Sequence, residues 1–482
     1  FFPAHMLFPN NIIANLDGAG TRGQTSPLFT YNDALSWTQA KHAFKAGFEV
    51  RFSSSDGFNG TGNPEFILPG VTIGVSGPSV TGISTIPGLV GNNVGAAQNL
   101  LLDLSGSVGN VTRNYEIRRA TDAFIPVSRR RDFHQNEWGA FFKDDWKIRS
   151  NLTLNLGVRY DYYGVPWEKF GAVPRPVGGE SGLFGLSGTS FADMWQPGRL
   201  NGSLTQLEFV GKNSPNPDRQ LYKDDWNNLA PAVGFSWSLP WWGQDKTVVR
   251  AGYGISYSGA ARFNSGLSLY IGTVPGSSTS QTLATRGLAG NYYNLTNLPL
   301  PAPAPTEKPL FVWPLTRRDG AMVGFTDDRV VPYIQNWNLE VQRELARNLT
   351  LEARYVGSKG TKLWGRINLN TVNIFENGIL EAFNITRAGG NAALFDQMLR
   401  GMTINPGTNA ALGQGVINGT TVTGSAALRA NTQTRGFLAN GNVGQFADFL
   451  NSNATLAGGR AGGLLLNSGL FPQNFIKVNP QF

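Results

Sequence analysis

Phe141-Phe142-Lys143-Asp144-Asp145-Trp146-Lys147-Ile148-Arg149-Ser150-Asn151-Leu152-Thr153-Leu154-Asn155-Leu156-Gly157-Val158-Arg159-Tyr160 is the stretch that decides the fold. In its second half Leu152, Leu154, Leu156, Val158, Tyr160 and, just beyond, Tyr162 form one row. Thr153, Asn155, Gly157, Arg159 and Asp161 form the other. Side chains of an extended strand point alternately to opposite faces, so this period of two builds one apolar and one polar face. The first half is a second strand, expected over 133–148, and only residues 149–151 separate the two.

Working outward, the same alternation recurs. Over 42–52 one row is Phe44, Ala46, Phe48, Val50 and Phe52, against Lys45, Gly47, Glu49 and Arg51. Over 229–239 it is Leu229, Pro231, Val233, Phe235, Trp237 and Leu239, against Ala230, Ala232, Gly234, Ser236 and Ser238. Further strands are expected at 28–37, 246–257, 333–345 and 349–357, and another near 107–117. A tilted strand of about 9–11 residues crosses the hydrocarbon core of a bilayer. One residue breaks the pattern: Asp144 falls in the row of Trp138, Phe142 and Trp146.

The links alternate too. Those at 38–41, 149–151, 240–245 and 346–348 are short, whereas 53–130, 164–225 and 258–330 each exceed sixty residues. Soluble domains rarely hold structureless links that long. Outer-membrane barrels have short periplasmic turns and long external loops. On that orientation Trp37, Trp146 and Trp237 fall at the periplasmic rim, and Tyr160, Tyr162, Tyr257, Tyr333 and Tyr355 toward the outer one. These are two aromatic girdles at membrane–water interfaces.

Composition agrees. Of 482 residues 60 are Gly, 11% are aromatic and only 15% are charged, below the usual quarter. No run of about 18 apolar residues exists to make a membrane helix. The slightly negative mean hydropathy does not exclude a membrane, because alternating strands average near neutral. Without cysteine there are no disulfides, thiolate zinc sites or thiol nucleophiles. The net charge of +8 is scattered among acids, and its densest run, Arg129, Arg130 and Arg131, reads as a solvated loop. No nucleic-acid partner is expected.

The motifs that carry chemistry elsewhere are weak or missing. Gly18-Ala19-Gly20-Thr21-Arg22-Gly23 matches a dinucleotide fingerprint by letter, but it follows no strand and opens no helix, so it reads as a flexible loop. His5, His42 and His134 are too dispersed to suggest a metal site. Asp144/Asp145 and Asp224/Asp225 cannot flank one bond, because strand neighbours face opposite ways, and they read as solvated strand ends. No catalytic, cofactor-binding or metal residue is expected, the protein is not read as an enzyme, and no substrate-binding residue stands out. Lys45, Glu49, Arg51, Arg159, Asp161, Glu340, Glu352 and Arg354 share the polar face and are expected to form cross-strand or interior contacts. Residues 298–305 alternate Pro, a pattern for polyproline II. Beyond residue 361 helical spacing appears at 374–383 and 392–402, before a Gly/Asn/Ala-rich stretch.

Phe141–Tyr160 resembles the barrel signature of Oar-like TonB-dependent outer-membrane receptors. Trp226-Asn227-Asn228-Leu229-Ala230-Pro231-Ala232-Val233-Gly234-Phe235 resembles a second motif of that family. Gln335-Asn336-Trp337-Asn338-Leu339 and Tyr355-Val356-Gly357-Ser358-Lys359-Gly360 resemble a third. The likeness spans about residues 37–370. It implies a barrel of roughly 22 strands holding an N-terminal plug, a TonB box ahead of it, and a bulky solute imported or exported with energy from TonB.

The chain opens on Phe1-Phe2-Pro3, without an initiator Met or a signal-peptide pattern. It therefore reads as a fragment from mid-barrel, with about nine or ten strands of the membrane-spanning kind. The fold class is all-β: residues 1–360 as a partial antiparallel transmembrane β-barrel with long extracellular loops, and 361–482 as a partly helical external loop region leading to a further strand. Expected partners are outer-membrane lipid, the plug of the same full-length chain, the TonB complex and an unidentified solute; no cofactor is expected. Two other readings stay open: a surface protein for adhesion or cell–cell contact without transport, and a soluble β-rich carbohydrate-binding or hydrolytic protein.

Overall fold

The structure is a computed structural model. It describes residues 5–7, 16–17, 22–59, 62–63, 66–67, 70–73, 83–104, 108–127, 129–194, 196–241, 243, 246–259, 277–284, 322–399, 416–417, 420–421, 423–452, 471–472, 474–477 and 479. The polyproline segment and residues 18–21 lie outside them. The chain divides into two compact units. The first comprises Phe1–Pro174, Phe209–Pro309 and Thr326–Gly365; the second comprises Arg175–Glu208, Leu310–Phe325 and Arg366–Phe482.

Eight long strands dominate the first unit: β1 (Leu28–Gln39), β2 (His42–Asn59), β3 (Arg129–Arg149), β4 (Leu152–Tyr163), β5 (Leu229–Leu239), β6 (Thr247–Tyr257), β7 (Tyr333–Ala346) and β8 (Leu349–Thr361). Each pairs antiparallel with the next in chain order. Two short strands, Arg22–Thr25 on β2 and Trp167–Glu168 on β3, complete the sheet. All four short turns therefore lie at one edge, as the alternating link lengths require.

The register carries the two rows across the whole sheet. Phe48 lies opposite Ala140, Ala140 opposite Tyr160, and Tyr160 opposite Leu229. Three residues along β2, Arg51 lies opposite Glu137 on the other face. Phe48, Leu154, Leu156, Phe235 and Val249 share the apolar face, while Arg51, Arg159 and Arg354 share the polar one. Gly47 and Gly357 inside the strands are each covered by a ring across the pair. A Cβ on Gly357 would come 2.3 Å from the indole nitrogen of Trp337.

Two expectations change here. Val108–Glu116 does form a strand, but it joins a separate sheet with Ser278–Ala284, Gly70–Ile73, His5–Leu7 and Leu16–Asp17. Tyr115 of this strand and Ile117 just beyond it meet Ala120, Phe124 and Phe209 in a small core. Without Val108–Glu116 the wall sheet still has ten strands among the described residues, eight long and two short, in line with the expected nine or ten. Arg129–Arg131 are not a loop either. β3 runs for 21 residues and β2 for 18, beyond what a bilayer crossing needs. At the long-link end of β3, Arg131 lies 3.7 Å from Glu116 and is only 3% exposed.

In the second unit α2 (Ile379–Arg387), α3 (Ala393–Met398), α4 (Gly424–Ala430), α5 (Thr432–Asn440) and α6 (Val443–Ser452) follow α1 (Asn92–Leu104) of the first unit. Phe383, Phe395, Phe446, Leu428 and Leu450 form the core of these five helices. The helix expected from 374 begins at Ile379, because Gly378 takes the left-handed conformation (φ 77°). The segment Arg175–Glu208 belongs with this tail: the amide of Asn474 donates to the carbonyls of Gln196 and Arg199.

Candidate functional site

The polar face of the wall gathers most of the residues singled out by sequence into two ion-pair clusters. On β2–β4, Glu49 lies 2.8 Å from Arg51 Nε and 3.9 Å from Arg159 Nη2. Arg159 Nε in turn donates to Asp161 at 2.7 Å. Gly139 makes room for this cluster, since a Cβ there would lie 2.4 Å from Asp161 Oδ1. On β6–β8, Glu340 bridges Arg250 (2.6 Å) and Arg354 (2.7 Å), and Arg354 also reaches Glu352 at 2.8 Å. Arg250 is the member that sequence reading missed. It sits opposite Glu340 and Ser236, a pairing that only the register reveals.

Lys45 joins neither cluster. It lies directly opposite Lys143, which pairs instead with Asp145 at 2.9 Å on its own strand. Between the two clusters the polar face is nearly bare. Gly157 lies opposite Ala232 and Ala232 opposite Gly254; one step along, Gly234 lies opposite Gly252. Opposite charges across a strand pair stabilise it by about 0.2–1 kcal/mol, and exposed pairs contribute at the lower end. The ladders fix register more than they add stability.

Asp144 has a partner in its own row. His42 Nδ1 lies 2.8 Å from Asp144 Oδ2, and the imidazole stacks between Phe44 and Trp146 at 5.3 and 5.2 Å. A polar pair bonded to itself and covered by rings costs far less in an apolar face than a lone carboxylate. Asp33, in the same face of β1, accepts from the Ala34 amide at 2.8 Å.

Asp224 accepts from the Tyr162 hydroxyl (2.6 Å). Asp225 is 8% exposed and accepts from the Val331 amide (2.7 Å). Asp225 is thus a buried loop anchor rather than a solvated strand end. It ties the link before β5 to the one before β7. His42 and His134 occupy separate places: His134 stacks on Trp167 (4.5 Å) and lies 3.0 Å from Asp132. No cluster suited to a metal occurs among the described residues. The fingerprint-like glycine run enters a strand at Arg22, pairing with Asn59.

Above the wall, Arg131 approaches Glu116 at 3.7 Å with both side chains buried. Burial pushes the Glu116 carboxyl up to about 7, outweighing the attraction of Arg131 and Arg129. Burial also raises Glu168, although the amides of Ala172, Asp132 and Phe170 donate to it and hold its charged form.

A meander with one continuous apolar face, one charged face and all short turns at one edge is the pattern of a membrane barrel wall. Residues 5–453 match the outer membrane beta barrel domain family. The chain belongs to this family.

Its apolar face is accordingly the lipid face and its location the bacterial outer membrane. Over 195 residues, 37% of the chain, it is 27% identical to the TonB-dependent transporter Oar of Myxococcus xanthus and covers 15% of that protein. Among solved structures it is similar to the outer membrane transporter YddB of Escherichia coli, at 12% identity and a TM-score of 0.31. That likeness covers 73% of this chain and 28% of the other. The chain thus spans a minor part of the length of both relatives.

Proposed function

We propose that this chain forms part of the barrel of a TonB-dependent transporter that moves a bulky solute across the outer membrane, with a plug elsewhere in the same full-length protein. The observation that carries the reading is the polar face. Its charges neutralise one another in two ladders and leave a bare panel of Gly and Ala between them. Such a surface suits contact with a folded plug and passage of a polar solute better than it suits a featureless wall. The likeness to Oar over part of the chain supports energisation through TonB. On this reading the protein is not an enzyme and needs no cofactor; its residues position, and none makes or breaks bonds.

The test is binding. Full-length protein extracted from outer membranes should be retained on immobilised periplasmic domain of the host's TonB, and a variant lacking the segment before the barrel should not. Full-length protein that flows through would remove the transport reading. It would favour adhesion, the reading supported by the second sheet and its core of Tyr115, Phe124 and Phe209.

A further inference from the structure

The short-turn edge of the wall differs in charge from the long-link edge. In outer-membrane barrels short turns face the periplasm, so this edge meets the headgroups of the periplasmic leaflet. Lys41, Lys246 and Arg347 lie in turns there and are exposed. Arg149, also exposed, closes β3. The acids nearby are mostly engaged: Asp144 with His42 and Asp145 with Lys143. At the long-link ends of the same strands the cations are engaged as well, Arg130 with Asp56 (2.6 Å) and Lys169 with Asp132 (3.2 Å).

The placement of Arg149 is specific. By strict alternation it would follow Lys147 into the polar row. The register of β3 against β4 shifts between Lys147 and Arg149, so Arg149 lies opposite Leu152, the first residue of the lipid-facing row. A β-bulge re-aims a side chain in this way. The neighbouring turn is drawn toward it: Lys41 Nζ donates to the Ile148 carbonyl at 3.1 Å, and the Lys147 amide donates to the Lys41 carbonyl at 2.8 Å. The apolar row at the same short-turn end carries Trp37, packed on Phe44 at 5.1 Å, and Trp146, stacked on His42. Indoles favour the headgroup level.

We propose that Lys41 and Arg149, with Trp37 and Trp146 at the same short-turn end, bind the phosphate of an anionic phospholipid in the periplasmic leaflet. Arg149 presents a planar fork to the phosphate oxygens while Lys41 adds a second charge. The indoles pack along the glycerol and upper acyl region. The assignment rests on the outer-membrane location and on the bulge; it does not depend on TonB or on transport.

The experiment uses full-length protein in a neutral maltoside detergent, with unfolding followed by heat-modifiable gel mobility. Dioctanoyl phosphatidylglycerol should raise the Tm, whereas dioctanoyl phosphatidylcholine and inorganic phosphate should leave it in place. The double variant Lys41→Gln/Arg149→Gln should lose most of the rise while keeping its Tm in detergent alone. Lys147→Gln, two residues from Arg149 but in the polar row, should keep the rise in full. The proposal is overturned if the double variant responds like the parent, if phosphatidylcholine acts equally, or if inorganic phosphate suffices and marks a plain anion site. Should the double variant fail to fold, native mass spectrometry of the parent in an equal mixture of the two lipids decides. Preferential phosphatidylglycerol adducts support the site, and equal retention overturns it.

Discussion

Val158 and Asn155 are three residues apart on β4 and meet different solvents. Val158 lies opposite Phe142 and Pro231 in the lipid-facing row, whereas Asn155 lies opposite Asp145 and Gly234 in the polar row. Val158→Arg should cost about 2–4 kcal/mol of folding free energy, and Asn155→Arg a fraction of that, because only the first puts a charge into hydrocarbon. Leu156 is the poorer place to ask, since it lies opposite Asp144 and an arginine there would meet a carboxylate. Heat-modifiable gel mobility in the full-length background reads both changes, and equal tolerance would argue against a lipid face. Glu116 permits a second test at this scale. Its carboxyl is held up to about 7, above its ordinary 4.5, so the folded state binds the extra proton between those values. Stability from this group is therefore complete below about 4.5 and is lost as pH rises through about 7. Hydrogen exchange over Val108–Glu116 should slow as pH is lowered across that window, after correction for the intrinsic rate. Glu116→Gln should abolish the dependence; an unchanged dependence in that variant would assign it to another group.

At the scale of the element, ring and glycine act together. The Trp337 indole lies where a Cβ on Gly357 would stand, so Gly357→Val must displace it and should cost about 1–3 kcal/mol. Gly365→Val, with open space around its Cβ position, should cost much less by the same gel assay. The wall strands were readable because their signal is local: ten residues of alternation name the two faces and short links name the partners. Where the partner is distant, reading stopped. The alternation near 108–116 marked a strand without saying which sheet it joins, because its neighbour Ser278–Ala284 is far along the chain. Arg129–Arg131 looked like a solvated run because nothing within the run shows that the chain folds Glu116 and Ile117 back onto Arg131. Asp144 stood out as an exception, and its explanation, His42, lies 102 residues away. Of the polar face, the charged rows were legible but their pairings were not. Arg250 was overlooked because a lone cation between Val249 and Ala251 gains meaning only opposite Glu340.

The whole molecule has two ends that chemistry can tell apart, and the lack of cysteine in the chain makes single introduced thiols informative. Asp218→Cys, in the link between β4 and β5, should react with a membrane-impermeant maleimide on intact cells. Ser150→Cys, in the turn between β3 and β4, should react only after the outer membrane is opened. The opposite pattern would invert the wall. The alternation of link lengths also bears on how the wall is assembled. Within β1–β2, β3–β4 and β7–β8 only two residues separate the strands, whereas joining one hairpin to the next closes a link of more than sixty. Chain entropy makes each longer closure costlier by about 3 kcal/mol. Hairpins therefore form ahead of the contacts between them, and the wall grows two strands at a time, each pair arriving with its own long link still to be carried across the bilayer.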